Sequence, residues 1–469
     1  MDSTRREPEF PPPEAWGPAL KLARLARRPL ERFLRIQAAS GVLLIVAALV
    51  ALVLASSRLG PAYARFWHTP VAIQIGAFRF EQPIEWVVND GLMAIFFFVV
   101  GMEIRREVHQ GELSEWRRAA LPAAAALGGM LAPAFLYLAV VRHSPEVRQG
   151  WGVPMATDIA FAVGVLTLLG KRVPPALRVL LLALAVIDDL GAIVVIAIFY
   201  SRGIRLSGIA VAAGGLLMIL AMRVMGVRQK VAYVVPATVV WAGTFAAGIH
   251  PTIAGVVVGM LTPVRAWLGT ERVGDALMED ANLLARSSDD VSTHELASVL
   301  RHVDVVRREA TSPAESLIES LHPWVAFVIM PLFALANAGV AIGAVAMTPS
   351  AKIALTGAAL GLLVGKPLGI VVASGLAIRM RIALLPRGLT FRHLLVLGLV
   401  SGIGFTMALF VGQLAFTDET TLGAAKLGIL AASGTAAVIA LLAGRVLLPR
   451  EPVEVAAETA DEAEASTDT

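Results

Sequence analysis

The chain has 469 residues, 57% of them hydrophobic and only 16% charged, with a mean hydropathy of +0.72. Soluble domains carry about 25% charge, so the chain is an all-α polytopic membrane protein. The formal net charge of +4 does not imply nucleic acid, because the basic residues cluster beside apolar segments, and the absence of cysteine excludes disulfides, thiolate catalysis and cysteine metal sites.

Residues 1–37 form a tail with Pro11-Pro12-Pro13 early and Lys21, Arg24, Arg27, Arg28, Arg32 and Arg35 later. It is not a cleaved signal, because the first apolar run is a full span and no small-residue cleavage pattern stands out. That span covers about residues 38–57, and residues 58–83 read as a polar outer loop. Within the loop, Val71-Ala72-Ile73-Gln74-Ile75 and Phe78-Arg79-Phe80-Glu81 alternate about a turn, which predicts a β-hairpin over 69–82.

The second span, about 84–108, carries Asn89-Asp90 early and Glu103, Arg106 and Glu107 late. Further spans are predicted at about 119–141, 153–169, 175–200, 207–225, 231–249 and 251–268. The polar stretch 269–318 reads as a solvated cytoplasmic loop with an amphipathic helix. Spans resume at about 320–344, 353–378, 392–416 and 421–447, making about twelve transmembrane helices. Residues 448–469 are acidic, lack aromatics and read as disordered. Lys and Arg concentrate on the side of the basic tail, at Arg117, Arg118, Lys171, Arg172, Arg228, Lys230, Arg387 and Arg392 among others. Both termini are therefore expected to be cytoplasmic.

The most informative span is 175–200, which carries adjacent carboxylates, Asp188 and Asp189, near its middle. Each costs roughly 2.5–3.5 kcal/mol at the centre of a membrane helix on insertion scales. A tandem pair at that cost is expected to handle an ion or a proton. Three other features are expensive in the same way. Thr157-Asp158 follows Pro154 in a short span; Lys366 sits between Gly365 and Pro367; Gly402-Ile403-Gly404 marks a place where a helix can break. A lone lysine there needs an anion, and broken helices in corresponding places point to a transporter site.

Asp158, Asp188 and Asp189, with the Thr157 hydroxyl and freed carbonyls, make an all-oxygen set suited to hard cations such as sodium or lithium. Adjacent helical residues point about 100° apart. One acid of the pair is thus free to face Asp158 while the other turns to Lys366. Burial and like charge both favour the protonated form of a carboxylate. Protons and a cation competing for the same oxygens, in a site open to either side alternately, give antiport. An intramembrane aspartyl protease also needs two membrane acids, but its usual signature puts one on each of two helices. Another cation/proton exchanger or a proton-coupled symporter remains the nearer alternative.

Ala156-Thr157-Asp158-Ile159-Ala160-Phe161-Ala162, Ile187-Asp188-Asp189-Leu190-Gly191-Ala192, Gly365-Lys366-Pro367-Leu368-Gly369 and Gly402-Ile403-Gly404-Phe405-Thr406 occur in order. They are supported by Asn89-Asp90-Gly91-Leu92-Met93, His322-Pro323-Trp324 and Asn337-Ala338-Gly339. In these motifs the chain resembles the bacterial NhaA-type sodium/proton antiporters, from about residue 38 to 447.

The resemblance implies inverted repeats, with two broken helices crossing at the midplane, and an inner-membrane exchanger of Na+ or Li+ for H+. It implies an electrogenic, pH-regulated transporter rather than an enzyme, without a cofactor. Its partners are the lipid bilayer and, through the hairpin at 69–82, a second copy. Asp188, Asp189 and Thr157 transiently hold sodium; Asp158 supports the site; Lys366 pairs with Asp188. Glu103, Arg106, Glu107 and Asp90 are assigned to pH sensing and ion access. Two departures accompany the resemblance. The loop at 269–318 is long, and Ile318 stands four residues before His322, where the family often has an acid.

Overall fold

The computed structural model describes residues 37–76, 78–201, 203–286, 293–343 and 345–449. The expected basic tail, except Gln37, and the acidic tail from Arg450 onward lie outside the described residues.

The elements follow the expected order. Helix α1 is Gln37–Ser56, and a short helix, α2 (Gly60–Trp67), occupies part of the predicted outer loop. Strands β1 (Pro70–Ile75) and β2 (Phe78–Pro83) pair antiparallel, with Pro70 opposite Pro83 and Ile75 opposite Phe78. Gly76 makes the turn in the left-handed region, where a side chain is strained. The hairpin rests on the membrane-spanning bundle through Phe80, whose ring meets those of Trp86 and Phe245.

The spans α3 (Ile84–Gln110), α4 (Trp116–Val140), α6 (Pro175–Phe199) and α7 (Leu206–Val224) are continuous. Between α4 and α6 a 3-10 run, Pro145–Met155, bends by 49° into α5 (Ile159–Leu168). Two shorter apolar helices follow, α8 (Val234–Ala246) and α9 (Thr252–Leu261). At about 1.5 Å per residue, α9 is too short to cross a hydrocarbon core of about 30 Å alone. The predicted span at 251–268 is thus curtailed, ending where Pro263 follows the helix.

The stretch 269–318 differs from its expectation. It holds two helices, α10 (Thr270–Arg286) and α11 (Thr293–Ala310), rather than one, and the next span begins earlier, at Pro313. Glu309 ties the end of α11 to the chain before α10: its carbonyl accepts from the amides of Trp267 and Leu268, and its carboxylate pairs with Arg228. The Arg228 guanidinium also lies over the Trp267 ring.

The last spans are α12 (Pro313–Asn337), α13 (Pro349–Arg379), the broken pair α14 (Phe391–Ser401) and α15 (Phe405–Ala415), bent by 48°, and α16 (Glu419–Leu447). Three of these helices start with side-chain caps: Ser312, Thr348 and Asp418 accept from the backbone amides of Glu315, Ala351 and Thr421. In the first two cases proline follows, at the position where its missing N–H costs nothing. Within α12 and α13 the helix widens to π-type turns at Val325–Ile329 and Gly361–Gly365. Each lies two residues before a proline, Pro331 and Pro367, which cannot donate to the preceding turn.

Leu49, Val53, Phe135, Ile198, Leu217 and Leu442 project outward, forming the apolar surface that lipid requires. Inside, α13 approaches α4 closely. Gly128 and Gly369 face each other's backbone, and a Cβ at either would collide with the opposite chain. This contact is one turn from Lys366 and fixes its height in the bundle.

Candidate cation and proton site

Spacing determines which way α6 turns its acids. Leu177, Leu180, Leu181 and Leu184 recur at helical intervals and are buried, and Asp188 continues that stripe one turn later. Packing of the leucines therefore carries Asp188 into the bundle. There Asp188 Oδ2 accepts from Lys366 Nζ at 2.7 Å and from Thr157 Oγ1 at 2.6 Å. Lysine and aspartate are both essentially inaccessible, at 0% and 1% exposure. Lys366 Nζ also donates to the Met155 carbonyl, at the end of the 3-10 run.

Asp158 does a different job. Its Oδ1 accepts from the Phe161 amide at 3.0 Å, capping α5, and its Oδ2 accepts from the amide and hydroxyl of Thr406 at the start of α15. Its own amide donates to the Ile403 carbonyl at 2.8 Å. One carboxylate thus joins the N-termini of both half-helices, where the helix dipoles favour negative charge. Opposite charges are met the same way: the ammonium of Lys366 and the hydroxyl of Thr157 face backbone carbonyls at the ends of the preceding halves, Met155 and Ser401. Ser433 Oγ completes the arrangement by accepting from the Phe405 amide at 3.0 Å. Sequence reasoning missed Ser433, which lies far along α16 with no motif around it.

Asp189, the next residue, joins none of these hydrogen bonds. It is buried, and among the described residues it makes no hydrogen bond or ion pair. The arrangement contains one neutralised acid, one acid held by backbone amides and a hydroxyl, and one acid without a partner among the described residues, all three buried. Such a set suits the reversible exchange of a small cation for protons.

Residues 31–443 match a family model described as Na+/H+ antiporter 1. The chain belongs to this family of Na+/H+ antiporters. It is 64% identical over 457 residues to a Na(+)/H(+) antiporter NhaA 2 of Myxococcus xanthus, covering 97% of each chain. To the protein of that name in Sorangium cellulosum it is 53% identical over 460 residues, covering 97% of this chain and 98% of the relative. A third relative, from Pseudomonas putida, is 48% identical over 429 residues, or 91% of this chain and 94% of that one. The antiporter is a membrane transporter, not an enzyme, and its substrates are Na+ and H+.

The four residues assigned to pH sensing and access do not form one group in the antiporter. Asp90 and Glu103 sit on the same helix but 13 residues apart by number, about 20 Å along its axis. Near the C-terminal end of α3, Arg106 lies 3.4 Å from Glu315 and 4.0 Å from Glu107, while Glu107 accepts from the Glu112 amide. Glu315 was not foreseen. It lies one helical turn before Ile318, which is buried, and so supplies a carboxylate near the place where the familiar acid is absent. The signal was present in Ser312-Pro313-Ala314-Glu315, a helix-start pattern that fixes which way Glu315 faces.

At the other end of α3 a second polar cluster appears. Asn89 donates to Gln413 at 2.8 Å, Asn337 donates back to Asn89 at 2.7 Å, and Gln413 donates to Asn337 and, at 3.2 Å, to Glu85. Asp90 beside it lies 3.6 Å from His250 Nε2. The cluster joins the wide turn at Val87–Leu92 to α12 and α15. Aromatic rings border it: Phe410 of α15 meets Phe97, Phe333 and His250. Lone amides on three separate spans carry no pattern that a linear reading can pair.

Proposed function

We propose that the antiporter exchanges cytoplasmic Na+ or Li+ for external H+ across the bacterial inner membrane, with both termini on the cytoplasmic side. The cation and protons compete for Asp188 and Asp189, with Thr157 lending its hydroxyl. Asp158 and Lys366 hold the two broken helices and balance their terminal charges. The observation that carries this reading is the contrast within one pair. Asp188 shares an oxygen with Lys366 and Thr157, while adjacent Asp189 has no partner among the described residues and is available to an ion.

Exchange is electrogenic in this scheme, because one monovalent cation competes with more than one proton-binding group. It is pH-regulated because protons oppose cation binding directly. Arg106, Glu103, Glu107 and Glu315 lie at the cytoplasmic access, where their charges modulate that competition; Asp90 acts at the opposite end of α3. The test is dequenching of a pH dye in proteoliposomes. Sodium or lithium pulses should collapse a preset proton gradient, and failure to do so at any pH tested overturns the reading.

The hairpin at 69–82 mediates a homodimer in the bilayer. Support comes from its two-stranded sheet, whose outer edges have no strand partner among the described residues. Removing residues 70–81 should leave transport intact and weaken the dimer; an unchanged dimer in native mass spectrometry excludes this role.

A further inference from the structure

Buried polar side-chain atoms without a partner are scarce in well-packed proteins. Two of those among the described residues belong to the site: Asp188 Oδ1 and Ser401 Oγ. Thr157 touches both residues, through their other oxygens. Its hydroxyl donates to Asp188 Oδ2 at 2.6 Å and lies 3.3 Å from the Ser401 carbonyl. Ser401 is the last residue of α14, fully buried, and the chain leaves the helix immediately after it at Gly402. The end of a helix presents carbonyls and partial negative charge, which favour a cation. A buried serine commonly spends its hydroxyl on a carbonyl of its own helix one turn back. Ser401 does not, and its oxygen is left to another partner.

The other oxygens of the site sort themselves by exclusion. Both carboxylate oxygens of Asp158 are taken by Phe161 and Thr406. Asp188 Oδ2 is taken by Lys366 and Thr157. What remains is Asp189, Asp188 Oδ1, the Ser401 hydroxyl and the accepting side of the Thr157 hydroxyl, which only donates here. The geometry points to Ser401 Oγ as a further ligand of the transported cation, acting with Asp188 Oδ1 and Asp189. This inference rests on the exchange site proposed above. A hydroxyl is a hard, neutral oxygen. It adds to the coordination of Na+ or Li+ but does not take up a proton as a carboxylate does. Ser401 therefore tilts the competition towards the cation, and its loss tilts it towards protons.

The test uses the full chain, purified in detergent, as wild type, Ser401→Ala and Asp189→Asn. Melting curves are recorded in sodium chloride and in choline chloride, and the KM and maximal rate for sodium are measured in proteoliposomes at several pH values. In choline, Ser401→Ala should melt at or above wild type, because it removes an unsatisfied buried hydroxyl. In sodium, its stabilisation should shrink. Its KM should rise about fivefold with the maximal rate kept, on the scale of one lost hydrogen-bonding group. Its sodium KM at a given pH should match the wild type's only at more alkaline pH. Unchanged sodium affinity in Ser401→Ala overturns the inference and leaves the site reading standing. A lower melting temperature in choline also overturns it, since the hydroxyl then serves the fold. If sodium fails to stabilise wild type, or stabilises Asp189→Asn equally well, the exchange site itself is wrong and Ser401 falls with it.

Discussion

At the amide cluster, Asn89, Asn337 and Gln413 use one another's donors and acceptors, and Gln413 makes one further bond, to Glu85. At the carboxylate cluster, among the described residues, Asp188 keeps one oxygen without a partner and Asp189 makes no hydrogen bond or ion pair. The carboxylates are buried and the amides mostly part-buried among apolar helices, and both clusters draw on the broken span, through Thr406 and Gln413 respectively. A satisfied neutral network in low dielectric holds helices in one arrangement. An unsatisfied charged one is costly to keep dry and is retained where an ion or proton is to be bound and released. The difference separates what fixes the bundle from what works in it.

The comparison is most directly broken at Asp189. Asp189→Asn keeps the shape but removes a ligand charge and a proton acceptor, so sodium-driven dequenching should vanish while the protein still folds. Retained sodium affinity would reassign the site. Asp188→Asn should cripple transport less completely.

Lys366→Ala should cost the most in stability. Removing one member of a buried pair typically costs about 3–5 kcal/mol, because the other charge is left uncompensated. A site that has lost its fixed positive charge repels protons less, so protons compete better with sodium and the pH dependence of sodium affinity should move to more alkaline values. Lys366→Arg keeps the charge but exchanges a compact ammonium for a planar fork, and should melt between the two. A melting curve and pH profile that both match wild type would remove Lys366 from the site.

Asn337→Ala sharpens the contrast from the other side. It takes one hydrogen-bond partner from each of Asn89 and Gln413, which keep their bond to each other, and a polar group left unsatisfied by such a change costs about 1–3 kcal/mol when buried. The melting temperature should fall while the sodium KM at the pH optimum stays near wild type. A changed KM with unchanged melting would place the amides in ion binding instead.

The smallest effect is expected for Glu315→Gln. Its pair with Arg106 is partly exposed, with side chains 33% and 48% accessible, and such pairs contribute about 0–1 kcal/mol. Stability should hardly change. If Glu315 acts at the access path, the pH profile of transport should still move; an unmoved profile limits Arg106 and Glu315 to a surface contact.

Hydropathy read the order of the apolar helices, because each span answers to lipid before it answers to its neighbours; among the described residues eight of them, or ten counting each bent pair as one span, are long enough to cross a membrane, against about twelve expected. The alternating stretch beside Gly76 likewise specified the hairpin. The carboxylates, Lys366 and the glycine-flanked breaks stood out because a charge or broken helix in hydrocarbon is expensive wherever it falls. Periodicity was less reliable at 251–268, where Pro263 cut the helix short, and at 269–318, where two amphipathic helices took the place of one.

The sequence alone determined that Asp188, Asp189, Asp158 and Lys366 had to find partners inside a bundle. Only the tertiary structure decided which partner each took. Asp158 was claimed by the amides of two half-helices, Asp188 by Lys366 and Thr157, and Asp189 by none. Nor did the chain order disclose that Glu315 would meet Arg106, or that Asn89, Asn337 and Gln413 would close on one another. Burial is a property that each residue's own chemistry demands, whereas pairing across spans depends on how helices hundreds of residues apart pack, and that packing is set by small contacts such as Gly128 against Gly369.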